Sequence, residues 1–237
     1  MAKMTLDDLI AQLRAIYGND LVAVALYGSA ARGEHIAKHS DLNVLVVVEH
    51  ITMEHLHREA PIARGWREAG NPPPLTMTRT EWLGGADIFP MEYADILAHH
   101  HVLAGDLPIA GIVVDMKDLR LQLEHEAMSK LFRMRHAILL ADGDQKALRT
   151  MLTDSVSTVM VLFRAVLRMY GEAPSADSLV VCERVSERTT LDTSAVQRVL
   201  RHVRHNDPMP AGDLAAVVER YLATVQSLAA WLDAYVP

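Results

Sequence analysis

Two strongly apolar runs, separated by a polar segment that carries glycines, constrain this chain more than any other feature. Leu21-Val22-Ala23-Val24-Ala25-Leu26-Tyr27 stops at Gly28, and Asp41 to Val48 is apolar on both faces beyond its first few residues. Short apolar runs bounded by turn residues read as strands covered on both sides, so each is expected inside a sheet with helices to bury its faces. The polar residues of the second run, Asp41 and Asn43, gather at its start. Any chemistry these strands support therefore sits where the segment between them leaves the first and delivers the second.

The flanking sequence supplies the covering elements. Leu6, Leu9, Ile10, Leu13 and Ile16 share one helical face and predict a helix over Leu6–Tyr17, ended by Gly18-Asn19-Asp20. Thr52 to Glu68 reads as helical, with Pro61 expected to kink it or to begin a second piece, and Asn71-Pro72-Pro73-Pro74 is a rigid stop. Leu75–Thr78 and His100–Ala104 are further strand candidates. From about Asp115 the pattern turns helical: Lys117–Ala141, Lys146–Tyr170, Ser178–Arg188, Ser194–His205 and Asp213–Tyr235, with Asp142-Gly143-Asp144 as the tight turn of an antiparallel pair. The expected division is an α/β domain over 1–110 and an all-α bundle over 111–237.

Composition closes off other classes. With 237 residues, 50% hydrophobic and 22% charged, the chain has enough apolar surface for a full core and is not a disordered polymer. Cys182 is the single cysteine, which excludes an internal disulfide, a zinc ribbon and a CxxC redox pair. A net charge of -7 argues against broad nucleic-acid binding. Apolar stretches such as Val44–Val48 fall short of the roughly 20 residues a membrane span requires. Met1-Ala2-Lys3-Met4-Thr5 lacks the pattern of a secretion signal, so a cytoplasmic protein without a membrane partner is expected.

The segment between the strands is where chemistry concentrates. Gly28-Ser29-Ala30-Ala31-Arg32-Gly33 lets backbone amides approach a phosphate, while Ser29 offers a hydroxyl and Arg32 a charged fork. Asp41 and Asn43 are two apart on a strand, face the same way, and present two oxygens to one magnesium ion. No Gly-Lys-Ser/Thr follows the glycines and no GxGxxG occurs, so neither the Walker A loop nor the dinucleotide fingerprint applies.

Gly28-Ser29, Arg32-Gly33 and Ser40-Asp41-Leu42-Asn43 resemble, in order and spacing, the signature of the DNA polymerase beta-like nucleotidyltransferase superfamily. Together with a helical second half the chain is similar to its aminoglycoside nucleotidyltransferase branch and related bacterial proteins. The resemblance implies an α/β (α+β) nucleotidyltransferase domain with a small mixed sheet, followed by a helical bundle. It implies transfer of a nucleoside monophosphate from a magnesium nucleoside triphosphate, ATP first, to an acceptor hydroxyl on a small molecule or a protein. Gly28, Ser29, Arg32, Gly33 and Ser40 then grip phosphates, and Asp41 and Asn43 hold Mg2+. Asn43 departs from the pattern, because an amide stands where the second carboxylate belongs and removes a full charge. The third acid of the family lies on a later strand, for which Leu75–Thr78 is the candidate, and that strand has none; Glu81 and Glu92 are the nearest downstream carboxylates. The alternative is a weakened or inactive pseudoenzyme that binds a nucleotide or a partner, as antitoxin-like members of the superfamily do.

Other clusters carry two readings each. On the helical projection of 117–141, Glu124 falls in the stripe of Leu121, Ala127, Met128, Leu131, Met134 and Ile138, with Arg135 also inward. Glu124 is therefore either ion-paired with Arg120 or Arg135, or a general base for the acceptor hydroxyl. His99-His100-His101 reads as a partly exposed cluster rather than a metal site. Arg198, Arg201, Arg204 and His205 form a basic helical stripe, a solvated face or a phosphate contact, and Cys182 reads as structural.

Overall fold

The computed structural model describes residues 3–28, 30–31 and 41–236. They form two compact units, Met1–Asp115 and Met116–Pro237.

The first unit is built on a four-stranded mixed sheet. Its strands are β1 (Leu21–Tyr27), β2 (Asn43–Val48), β3 (Leu75–Thr78) and β4 (His100–Gly105), in the spatial order β3-β2-β1-β4. β1 is antiparallel to both β2 and β4, whereas β2 and β3 run parallel. Helices α1 (Leu6–Tyr17), α2 (Met53–Glu68), α3 (Arg79–Gly84) and α4 (Pro90–Ala98) complete the unit. The period-2 alternation of β1 and β2 sorts their side chains onto two faces. Val24, Val44, Val46 and Val48 pack with Leu9 and Leu13 of α1 and Ile62 and Trp66 of α2. Ala23, Ala25, Leu45 and Val47 pack on the other side with Trp82 of α3 and with Tyr93 and Ile96 of α4. Covering both faces is what makes the central strands apolar throughout, as their sequence required.

Local chemistry explains the element ends. α1 starts at a capping box in which Thr5 and Asp8 satisfy each other's backbone amides. α2 is one continuous helix through Pro61, so no second piece begins there. The buried Glu59 of α2 accepts a hydrogen bond from the Tyr17 hydroxyl at 2.5 Å and one from Thr76 Oγ1 at 2.9 Å, tying α1, α2 and β3 together. Burial, reinforced by that hydrogen bond, pushes the Tyr17 phenol well above its ordinary range. At the end of β4, Gly105 has φ +72°, and a Cβ there would fall 1.9 Å from the Val22 carbonyl oxygen, so only glycine permits the close passage of β4 past β1.

The second unit is helical: α5 (Met116–Ala141), α6 (Gln145–Met169), α7 (Ser178–Thr189), α8 (Ser194–His205) and α9 (Ala211–Ala234). α6 is its centre, burying Leu152, Val156, Val159, Phe163 and Val166. This helix is long and apolar enough by length and hydropathy to cross a membrane, contrary to the expectation that every apolar stretch is strand-length, and 61% of its apolar window is buried within the protein. Of the inward stripe expected on α5, Ala127, Leu131 and Met134 are buried and Met128 and Ile138 are half-buried. The buried residues are Leu119, Leu123, Ala127, Leu131, Met134 and Ala141, while Leu121 is 61% exposed and Arg135 faces solvent. α5 packs against both α6 and α9, and two partners set a buried face that a single-stripe projection captures only in part.

Candidate functional site

The polar end of the sheet lies where β1 stops and β2 starts. Gly28, with φ +76°, turns the chain out of β1 through left-handed space that a side chain disfavours. β2 begins at Asn43 rather than at Asp41, which sits exposed just before it. Ser29, Arg32, Gly33 and Ser40 lie outside the described residues. What brings the two strand ends together is the ladder itself: Tyr27 pairs directly with Asn43, and Gly28 follows it at once. A Cβ on Gly28 would lie 3.0 Å from Asn43 Nδ2, so the Asn43 amide occupies the space over the glycine.

A third element holds the approach to β2. Asn71 Oδ1 accepts the Leu42 backbone N–H at 3.0 Å, anchoring the residue between Asp41 and Asn43 to the loop before β3. Sequence reading treated Asn71-Pro72-Pro73-Pro74 only as a stop. The usable signal was an amide side chain ahead of a rigid proline run, a combination suited to fixing a neighbouring backbone group.

Across the sheet, Asn43, Tyr27 and His100 form one row on three strands, because Tyr27 pairs with both of the others and directly opposed residues of antiparallel strands share a face. Burial pushes the Tyr27 phenol up, and the carboxylates of Glu92 and Asp95 on α4 push it further. His100 Nδ1 donates to the Ile96 carbonyl at 2.7 Å, since that oxygen only accepts. This row was not legible in the sequence, which contains no signal for which strand pairs with β1 on its second side.

The remaining acids resolve individually. β3 lies beside β2 with Leu75 in register with Leu45, on the face that Asn43 shares, and Leu75 is 41% exposed. An apolar side chain therefore stands on the neighbouring strand, next to the polar end, where a third acid was sought. Glu81 is spent on the capping box of α3, accepting the Thr78 N–H at 2.7 Å. Glu92 lies on α4 within electrostatic reach of Tyr27. In the second unit, Glu124 Oε2 pairs with Arg120 Nη1 at 3.0 Å, and the same nitrogen donates to the Leu232 carbonyl of α9 at 2.7 Å. Of the two partners expected for Glu124, Arg120 is the one realised. His99, His100 and His101 do not converge, and among the described residues no group of three or more His, Cys, Asp or Glu side chains is arranged to hold a metal. Cys182 is buried 3.7 Å from the Met160 sulfur, and burial pushes its thiol up to about 12, which suits a packing role.

No family model matches the chain, and no curated protein matches it in sequence. Its backbone does have a solved counterpart: spectinomycin adenyltransferase AAD(9) from Enterococcus faecialis, determined with ATP and spectinomycin. The two superpose with a TM-score of 0.60 over 97% of this chain and 100% of that one, at 15% identity. The fold is that of a nucleotidyltransferase. The expected architecture, a small mixed sheet followed by a helical unit, is thus the one this counterpart shares. The end of β1 and the start of β2 are where the sequence motif leads us to expect phosphate and metal. Here that place carries one carboxylate, Asp41, and one amide, Asn43.

Proposed function

We propose that this chain binds a nucleoside triphosphate, ATP first, at the polar end of its sheet and transfers the nucleoside monophosphate to an acceptor hydroxyl. The observation that carries this reading is the direct pairing of Tyr27 with Asn43, which sets Gly28 and the Asp41-Leu42-Asn43 approach side by side. Likeness to an adenyltransferase over nearly the whole chain supports it. Gly28, with Ser29, Arg32, Gly33 and Ser40 by sequence, would grip the phosphates. In the reaction the acceptor oxygen bonds to the α-phosphorus, the bond to pyrophosphate breaks, and the hydroxyl proton leaves to a base. A general-base role for Glu124 requires its carboxylate to let go of Arg120.

Magnesium is implied by this reading. Mg2+ is ordinarily held by one or two carboxylates plus phosphate oxygens and waters, so Asp41 and the Asn43 amide oxygen suit a single ion held with less charge than usual. When bound, such an ion supplies charge stabilisation to the phosphates. The acceptor class, a small molecule or a protein side chain, follows from the resemblance alone.

A second reading, a member that binds nucleotide or partner without turnover, is favoured by one specific observation. Asn43 at the second carboxylate position and a β3 strand, Leu75–Thr78, that contains no acid leave Asp41 without the acidic partners the resemblance implies. Losing metal charge from a phosphoryl-transfer site costs rate steeply. Thermal unfolding with each nucleoside triphosphate, with magnesium and with chelator, separates the two, because a ligand that binds only the folded state raises its stability. A shift that needs both triphosphate and magnesium supports transfer. A shift indifferent to chelator supports the second reading, and no shift with any nucleotide overturns both.

A further inference from the structure

The second unit contains a cleft of about 610 Å³ between α5 and α6, near the turn that joins them. That volume is within the usual range for small-molecule sites. Its floor is apolar, with Met134 and Ala137 from α5 and Met151 from α6. Its α5 wall carries Lys130 and Arg133, one turn apart, and Lys146 lines it from α6. Lys130 is part-buried, and it makes no hydrogen bond or ion pair among the described residues. Burial, then the Arg133 guanidinium, pulls its ammonium below the ordinary lysine range, with Glu126 opposing.

Two cations stacked at i and i+3 on a helix repel each other, and a part-buried one has lost hydration that the Glu126 carboxylate makes up only in part. An anion seated between them would relieve both costs. The cleft also contains Asp144 and Asp154. Asp144 is occupied at the start of α6, where its Oδ1 accepts the Lys146 backbone N–H at 2.8 Å. Asp154 makes no ion pair with Lys130, so among the described residues that line the cleft no carboxylate is bonded to the two cations of α5.

We propose that the α5–α6 cleft is a binding site for a small amphipathic anion, whose head group sits between Lys130 and Arg133 and whose apolar body lies over Met134, Ala137 and Met151. This site is confined to the helical unit and is independent of the nucleotide reading.

The test is calorimetric titration of the full-length protein with three probes of equal chain length: octanoate, octylamine and 1-octanol. Octanoate is expected to bind at one equivalent, at least about tenfold more tightly than either of the others. The double variant Lys130→Met, Arg133→Met keeps the apolar stems and is expected to weaken octanoate about tenfold or more while leaving octanol unchanged. Ala137→Phe, which fills the floor without touching charge, is expected to weaken both octanoate and octanol. Circular dichroism melts of each variant confirm that the helical unit stays folded. The proposal is overturned if octylamine or octanol binds as well as octanoate, if several equivalents bind, if none binds at millimolar concentration, or if the folded double variant binds octanoate like wild type.

Discussion

The side chain of Asn43 lies against Gly28, its Nδ2 only 3.0 Å from where a Cβ on that glycine would be. Replacing the amide by a carboxylate at this point changes charge without changing shape. Asn43→Asp is therefore expected to tighten magnesium in the presence of ATP on the order of tenfold, because affinity for this hard cation follows the charge count of its ligands. The readout is the magnesium dependence of the ATP-induced thermal shift, together with pyrophosphate release. Gain of turnover in an otherwise inert protein places the natural chain in the second reading; turnover by the natural chain itself removes that reading.

Leu75 offers an independent check of the sheet geometry. It is 41% exposed, on the strand beside β2 and on the face that carries Asn43. Leu75→Glu is expected to cost no more than about 0.5 kcal/mol, since an exposed site loses little packing. Combined with Asn43→Asp it is expected to raise pyrophosphate release above the single variant. A melting temperature that collapses on Leu75→Glu alone would show the side chain to be part of the core.

Asn71 makes one hydrogen bond that matters to the site, to the backbone N–H of Leu42. Asn71→Ala removes the acceptor and frees the Asp41-Leu42-Asn43 approach. The expected cost is about 1 kcal/mol of stability. Nucleotide affinity is expected to fall further than that of a surface variant matched in stability, and equal losses in the two would mean that Asn71 does not position the site.

Cys182 ties stability to alkaline pH. Burial raises its folded pKa from 9.0 to about 12, so the unfolded chain releases the thiol proton first. The stabilising contribution is complete below pH 9 and is lost as pH rises towards the folded value. Denaturant titrations between pH 8.5 and 10 should show the stability of wild type falling more steeply than that of Cys182→Ala, the difference in slope approaching about 1.4 kcal/mol per pH unit. Parallel slopes would mean that the thiol titrates normally in the fold.

Much of this architecture was already local information. The apolar runs at Leu21–Tyr27 and Asp41–Val48, the helical periods from Leu6 and from Lys117 onward, and the punctuation at Gly28, Asn71-Pro72-Pro73-Pro74 and Asp142-Gly143-Asp144 are properties of neighbouring residues, and the elements they predict formed with ends shifted by a residue or two. The glycine turn with Asp41 and Asn43 was legible for the same reason, since a strand, a turn and a strand lie within 28 residues of one another in sequence.

What tertiary structure decided is everything that depends on residues distant in sequence. That β4 pairs with β1 and brings His100 level with Tyr27, that β3 lies parallel to β2 with Leu75 beside Leu45, and that Asn71 reaches Leu42 are outcomes of sheet order. That Glu124 is held by Arg120 against the α9 carbonyl of Leu232, and that Leu121 faces out, are outcomes of α5 packing against two helices at once. Period and propensity choose the kind of element because they act through backbone geometry along the chain. Which face is buried, and which polar groups meet, is chosen by the free energy of excluding water between elements that the chain itself does not join.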